Sequence, residues 1–338
     1  MTLGVNVEAL ALADASVSGK HRVKLSKIPK LILGSMNFGD VVDKAEAEAI
    51  MLRAYEFGID EIDTANTYSQ GRSEEIVGDV VKRHNLDVQI ATKVGMPTGR
   101  DTKLLSGEVI NAEIEKSLQR MDLTAIERLY LHQPDRTVSI SETLSAIKGL
   151  LEQGTIKSLG LSNYASWQSL EVLNICSEWS CPIDVHGQQL YNLLARRIED
   201  EYLEFAARYR VPTVVYNPLA GGLLTEKAVA RGLDSLSRYG PSRLASIYKD
   251  RYDNAETYAV LHQLNELARD KWMSLTELSF RWLASKPQVD SILIGVSSAE
   301  QLRKSLDYIS QGPLPESITE DCERITNRLK GRMPNYNR

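Results

Sequence analysis

The chain lacks the marks of several common protein classes. Its 338 residues hold three cysteines, Cys176, Cys181 and Cys322, with no CxxC and no ligand-like spacing. A disulfide framework or thiolate metal site is therefore not expected, and buried or incidental thiols of a reducing compartment are. The five histidines, His21, His84, His132, His186 and His262, are equally scattered, so no metal set is read from them. Positive charge is not in excess. Forty Lys and Arg against 45 Asp and Glu leave a net charge of −5, which argues against a nucleic-acid-binding surface. No apolar run approaches the roughly 20 residues of a membrane helix, and no membrane partner is expected. The run Gly34-Ser35-Met36-Asn37-Phe38-Gly39, which follows the first apolar stretch, is not a G-x-G-x-x-G. The usual mark of an open dinucleotide-binding sheet is missing.

The N-terminal stretch Val7 to Asp14 is apolar but short and carries acids. It lacks the basic front and long apolar centre of a signal peptide. Residues 1–27 are read as a partly disordered leader, 28–338 as a single domain, and the cytoplasm as the default location.

What is present is a regular alternation of short apolar runs with amphipathic stretches. Strands are expected at Lys30–Gly34, Ile59–Asp63, Val88–Thr92, Arg128–His132, Lys157–Leu161, Ile183–Gln188, Thr213–Tyr216 and Ser291–Ile294. Helices are expected between and after them, Ala45–Phe57 and Glu199–Tyr209 among them, with Ser106 as an N-cap and Gly58 and Gly154 as stops. A long stretch of mixed composition separates the seventh strand from two helices at Glu256–Arg269 and Leu275–Ser285. Eight β/α units with right-handed crossovers predict an α/β fold of the closed (β/α)8 TIM barrel type. In such a barrel the C-terminal strand ends share one face and carry the active site.

Four reactive side chains fall at or just beyond neighbouring strand ends: Asp63 and Tyr68, Lys93, and His132. They supply an acid, a phenol, an amine and an imidazole. A carbonyl that accepts hydride at carbon needs a proton at oxygen. Tyr68 can give it in reduction and, as phenolate, take it back in oxidation. Lys93 is expected to lower the phenol pKa from about 10. Asp63 can hold the ammonium in place, and His132 can donate to the substrate oxygen. A Schiff-base role for Lys93 is the rival enzymatic reading.

At these residues the chain resembles the aldo-keto reductase superfamily, through Asp63-Thr64-Ala65 with Tyr68 and Gly71-Arg72-Ser73-Glu74, Ala91-Thr92-Lys93, and Leu131-His132-Gln133-Pro134-Asp135. Gly160 to Tyr164, Gln188 to Asn192 and Tyr216 to Thr225 extend the likeness. The aflatoxin-aldehyde (succinic semialdehyde) reductase branch resembles it further, at Asn163 to Trp167, Tyr248 to Tyr252 and Pro334 to Arg338.

The resemblance implies a nicotinamide cofactor at the barrel mouth, usually NADPH, and a small-molecule carbonyl substrate. Ser162, Asn163 and Gln188 would bind the carboxamide, Tyr216 would stack on the nicotinamide ring, and Asp63 and Gly34 would border the cofactor. Asn217, Pro218, Leu219, Gly221, Gly222, Leu223 and Lys227 would approach the pyrophosphate. Gly295, Ser297, Ser298 and Gln301 would meet the phosphates and adenine, with Arg243 as a further phosphate contact. Ser305 stands where the family usually carries an amide that holds adenine, so NADH stays open beside NADPH. Tyr248, Arg251 and Arg338, with His132, would face a substrate carboxylate. The branch also suggests a homodimer. Because some superfamily members are potassium-channel β subunits, a nucleotide-sensing regulatory subunit is the non-enzymatic alternative.

Overall fold

The computed structural model describes residues 28–97, 103–180, 183–232, 235–236, 238–240 and 245–337. The expected leader, Arg243 and Arg338 lie outside the described residues. Eight strands close into one barrel in chain order: β1 (Lys30–Gly34), β2 (Glu61–Asp63), β3 (Gln89–Val94), β4 (Ile126–Leu131), β5 (Ile156–Ser162), β6 (Val185–Leu190), β7 (Thr213–Tyr216) and β8 (Ser291–Gly295). Every neighbouring pair is parallel, and β8 returns to β1 with Gly34 opposite Gly295. The chain is therefore a (β/α)8 barrel, as the alternation implied.

Helices α1 (Lys44–Glu56), α2 (Arg72–His84), α3 (Gly107–Met121), α4 (Ile140–Glu152), α5 (Ser166–Ser177) and α6 (Tyr202–Tyr209) follow the first six strands. Their starts are chemically marked. Asp43, Ser106 and Ser139 each accept a backbone N–H of the first turn, which satisfies donors that have no partner inside the helix. At the other end of α1, Gly58 takes the left-handed conformation (φ 79°) that lets the chain turn into β2. Inside α2, a side chain at Gly78 would put its Cβ 2.3 Å from the Met121 carbonyl. Glycine there allows α2 and α3 to approach closely.

Two differences from the sequence reading concern the later part of the chain. The mixed segment after β7 holds two short helices, α7 (Glu226–Arg231) and α8 (Ala245–Tyr252), before α9 (Ala255–Asp270) and α10 (Leu275–Ala284). After α11 (Ala299–Ser310) a further helix, α12 (Glu316–Thr326), packs Ile318 and Cys322 into the core. The C-terminal segment beyond it is tied back to the β6–α6 connection. Arg197 Nε donates to the Met333 carbonyl at 2.8 Å, and the Tyr336 hydroxyl bonds Glu201. Among the described residues no helix is long and apolar enough to cross a membrane.

Side chains fill the barrel interior. Tyr130 on β4 lies between the Lys93 ammonium, 5.9 Å from its ring centre, and the Arg128 guanidinium at 5.8 Å. It occupies the space opposite Gly160, where a Cβ would meet the ring at 2.1 Å. Below it, Arg128 pairs with Glu61 at 2.5 Å. Side chains thus fill the barrel beneath the strand ends.

Candidate active site

Register brings the four reactive residues together. Gly34 is level with Asp63, and Lys93 is level with Tyr130, two residues before His132. Lys93 is fully buried. Its ammonium bonds the Asp63 carboxylate, the Thr64 carbonyl at 2.8 Å and the Tyr68 hydroxyl at 3.1 Å. The Tyr68 and His132 rings meet edge to face, with centres 5.9 Å apart. Phenol, ammonium and imidazole thus form one cluster on a buried carboxylate.

Burial alone would lower the Lys93 pKa, but Asp63 and the Tyr68 oxygen hold it above the usual lysine value. Lys93 therefore stays cationic at neutral pH. Burial raises the Asp63 carboxyl, and Lys93 and Gln188 oppose that rise. Tyr68 differs from the sequence expectation. Its pKa stands above 10, because loss of solvation outweighs the attraction of Lys93 for the phenolate. The neighbouring cation was legible from sequence; the depth of the phenol was not.

The turn that presents Tyr68 has an unusual backbone. Ser69, Gln70 and Gly71 have φ of 49°, 60° and 90°, three consecutive left-handed residues in a chain of L-amino acids. Side chains hold the turn. Ser69 Oγ donates to the Phe38 carbonyl at 2.7 Å, and Asn66 Nδ2 donates to Glu113 at 2.7 Å. Ser73 Oγ bonds the hydroxyls of Thr64 (3.0 Å) and Ser35 (2.8 Å).

The residues expected around a nicotinamide are continuous with this cluster. Gln188 Nε2 donates to Asp63 Oδ2 at 2.9 Å. Asn163, itself left-handed at φ 62°, donates through Nδ2 to the His132 carbonyl (2.9 Å) and to Ser162 Oγ (3.0 Å). Tyr216 Oη donates to Asn163 Oδ1 at 2.6 Å. An amide has two N–H donors and a two-lone-pair carbonyl. The single Asp63 bond leaves Gln188 further capacity, and Asn163 Oδ1 keeps a second lone pair.

Past Tyr216 the chain makes a tight cradle. Asn217, Ala220, Gly221 and Gly222 have φ of 62°, 51°, 69° and 98°. Asn217 Oδ1 accepts the Gly221 N–H at 2.7 Å, and a Cβ on Gly221 would strike the Tyr248 ring at 2.5 Å. Pro218 and Leu223 are buried behind the cradle, Leu219 is partly buried, and Lys227 is exposed on α7. A Cβ on Gly295 would meet nothing closer than 4.0 Å, so the end of β8 is open. Ser298 caps α11 by accepting the Gln301 N–H at 3.2 Å, while Ser297 donates to Gln301 Oε1. Ser305 is turned into its own helix, donating to the Gln301 carbonyl at 2.9 Å. A glycine-bearing left-handed cradle beside a helix start fits a phosphate-bearing ligand.

On the substrate side, Tyr248 is buried against Tyr239. Arg251 is half-buried on α8, where, against the effect of burial, the phenol oxygens of Tyr216, Tyr252 and Tyr248 hold its pKa above the usual arginine value. Two residues at the mouth escaped the sequence reading. Arg238 bonds Asn37 Oδ1, and Asn37 Nδ2 donates to the Val296 carbonyl at 3.0 Å. They link the segments after β7, β1 and β8. Only the position of Asn37 just past β1 could have hinted at this.

The sequence matches the family described as "Aldo/keto reductase family" over residues 30–327. The chain belongs to the aldo/keto reductase family. As a member it is an oxidoreductase that acts on carbonyl groups. It is 32% identical to aflatoxin B1 aldehyde reductase member 2 of Mus musculus, covering 91% of this chain and 87% of that one. It is 31% identical to aldo-keto reductase family 7 member A3 of Homo sapiens, with 91% and 97% covered. A probable voltage-gated potassium channel subunit beta of Arabidopsis thaliana is 28% identical, with 92% and 96% covered. In this aldo/keto reductase the barrel mouth built from Asp63, Tyr68, Lys93 and His132 is the candidate active site.

Proposed function

We propose that this aldo/keto reductase reduces an aldehyde or ketone to an alcohol with NADPH, NADH serving the same site, and with Tyr68 as the proton donor. The observation that carries the reading is the 3.1 Å contact between the Tyr68 hydroxyl and a buried Lys93 ammonium that is itself fixed by Asp63 and Thr64. A bound nicotinamide dinucleotide would supply hydride to the carbonyl carbon. Ser162, Asn163 and Gln188 would hold its carboxamide, Tyr216 would offer a flat wall for its ring, and the Asn217–Leu223 cradle with Ser297 and Ser298 would hold its phosphates.

The protein's own work is at the oxygen. Tyr68, with a raised pKa, keeps its proton at neutral pH and gives it to the alkoxide, a stronger base than phenolate. The phenolate left behind is stabilised by Lys93, and His132 orients the carbonyl oxygen. In the reverse direction the phenolate takes the alcohol proton.

Carboxylate-bearing aldehydes are the substrate class that Arg251 favours, since a guanidinium can bind a carboxylate in bidentate fashion. The similarity to potassium channel β subunits supports a second reading, a nucleotide-sensing subunit with little turnover. Multiple-turnover NADPH oxidation with a panel of aldehydes and ketones separates the two. For Tyr68→Phe the expected result is retained dinucleotide binding with turnover lower by about 10²–10⁴, the range of general acid catalysis. Near-normal turnover in that variant would remove Tyr68 from the mechanism.

A further inference from the structure

The adenosine half of a dinucleotide whose nicotinamide lies by Tyr216 would extend over the next segment of the mouth, where β8 ends and α11 begins. The first backbone N–H groups of a helix attract anions. At α11 one of them is already taken by a carboxylate. Ala299 N donates at 2.7 Å to Oε1 of Glu46, which reaches across from the first turn of the neighbouring α1. Glu46 is half-buried, so its charge is set into the rim of the mouth.

The cations nearest along α11 do not offset it. Arg303 is paired with Glu300 at 2.9 Å and Asp307 at 2.7 Å, and Lys304 with Glu300 at 3.5 Å. Among the described residues, Arg238 approaches the end of β8 through Asn37, which accepts from it and donates to the Val296 carbonyl. Among the described residues, the end of β8 and the start of α11 thus carry a half-buried carboxylate and a guanidinium.

We propose that Glu46 is a selectivity residue of the dinucleotide site, one that accepts a ribose 2′-hydroxyl and repels a 2′-phosphate. The inference rests on the dinucleotide reading made above. A carboxylate beside the adenosine ribose is a good acceptor for the hydroxyl of NAD(H). The same carboxylate is a like charge to the extra phosphate of NADP(H), and it occupies an N–H that this phosphate would otherwise use. Glu46 thus works against Arg238 and lowers whatever preference for NADPH the rest of the mouth confers.

The test is direct binding of NADP⁺ and NAD⁺ by calorimetry, without substrate, to the full chain and to Glu46→Gln, Glu46→Ala and Glu48→Gln. Glu48 lies on the same helix but pairs with Arg83 and His84, so its variant controls for net charge. Removing one like charge from a partly solvated site should tighten NADP⁺ by about tenfold, with NAD⁺ changed by about twofold or less and looser rather than tighter. The gain should shrink at high salt and be absent from Glu48→Gln. Thermal melts of each variant establish that it is folded. If the wild type binds both nucleotides and their ratio is the same in both Glu46 variants, the selectivity role is wrong while the cofactor site stands. If the wild type binds neither, the dinucleotide reading itself fails and Glu46 with it.

Discussion

The Tyr68 hydroxyl lies 3.1 Å from the Lys93 ammonium, yet its pKa stands above rather than below its ordinary value near 10. Burial and the cation pull in opposite directions, and burial is the larger. The pairing therefore makes a phenol that stays protonated, which suits reduction.

A pH dependence follows in sign. Reduction needs the protonated phenol, so this group imposes no loss of kcat/KM up to about pH 9 and a fall only as pH rises past 10. Alcohol oxidation needs the phenolate and should climb steadily with pH over the same range. Lys93→Met removes the one strong cause that lowers the Tyr68 pKa, so the oxidative limb should move to still higher pH. Profiles of kcat/KM in both directions check this. An oxidative limb that levels off near pH 7 would mean that the phenol is acidic after all.

Much of the architecture was legible because a closed parallel barrel writes itself as eight apolar runs and places their ends on one face. β7 matches its expected bounds, and α1 differs from its expected span by one residue at each end. Other parts resisted for physical reasons. α8 buries Tyr248 and Tyr252 alone within eight residues, too few to set a helical period. Helix six was expected from Glu199, but Arg197–Glu199 is a separate 3-10 turn, with Glu199 bonded to Arg196 at 2.7 Å. The strand-end chemistry could be read from four short motifs. The Glu46–Ala299 contact, joining residues 253 positions apart, has no local signal at all.

The clamp beneath the Tyr68 turn yields a second prediction. Glu74 is fully buried; it accepts from the Thr92 hydroxyl at 2.6 Å and from Arg120 at 2.7 Å. The Arg120 guanidinium also packs on Gly71, where a Cβ would lie 2.6 Å from Nε. The salt bridge thus fixes the end of the left-handed turn and the residue before Lys93. Arg120→Met leaves a buried carboxylate without its cation, which costs about 3–5 kcal/mol when the pair is well shielded. Since a quarter of the Arg120 side chain is exposed, about 3 kcal/mol is expected, read by urea unfolding. Adding Glu74→Gln should recover part of the loss. If the clamp positions Tyr68, kcat falls in the single variant while dinucleotide Kd does not. Unchanged kcat would leave the pair a purely structural role.

Arg251 gives the last prediction. Despite burial, the phenol oxygens of Tyr216, Tyr252 and Tyr248 lie close enough to its guanidinium to hold it above its ordinary pKa, which puts a positive charge beside the expected nicotinamide wall. A hydrogen bond to a charged partner contributes about 1.5–3 kcal/mol, enough to change kcat/KM by about tenfold or more. Arg251→Ala should therefore lower kcat/KM by that factor for an aldehyde bearing a carboxylate, mainly through KM. An uncharged aldehyde of the same length should change by about twofold or less. Arg251→Lys should fall between, because an ammonium keeps the charge but not the planar fork. The comparison also tests the bland alternative that Arg251 only props Tyr216. Removing a prop would disturb the wall for every substrate, so equal losses with charged and uncharged aldehydes would assign Arg251 to the wall rather than to the carboxylate.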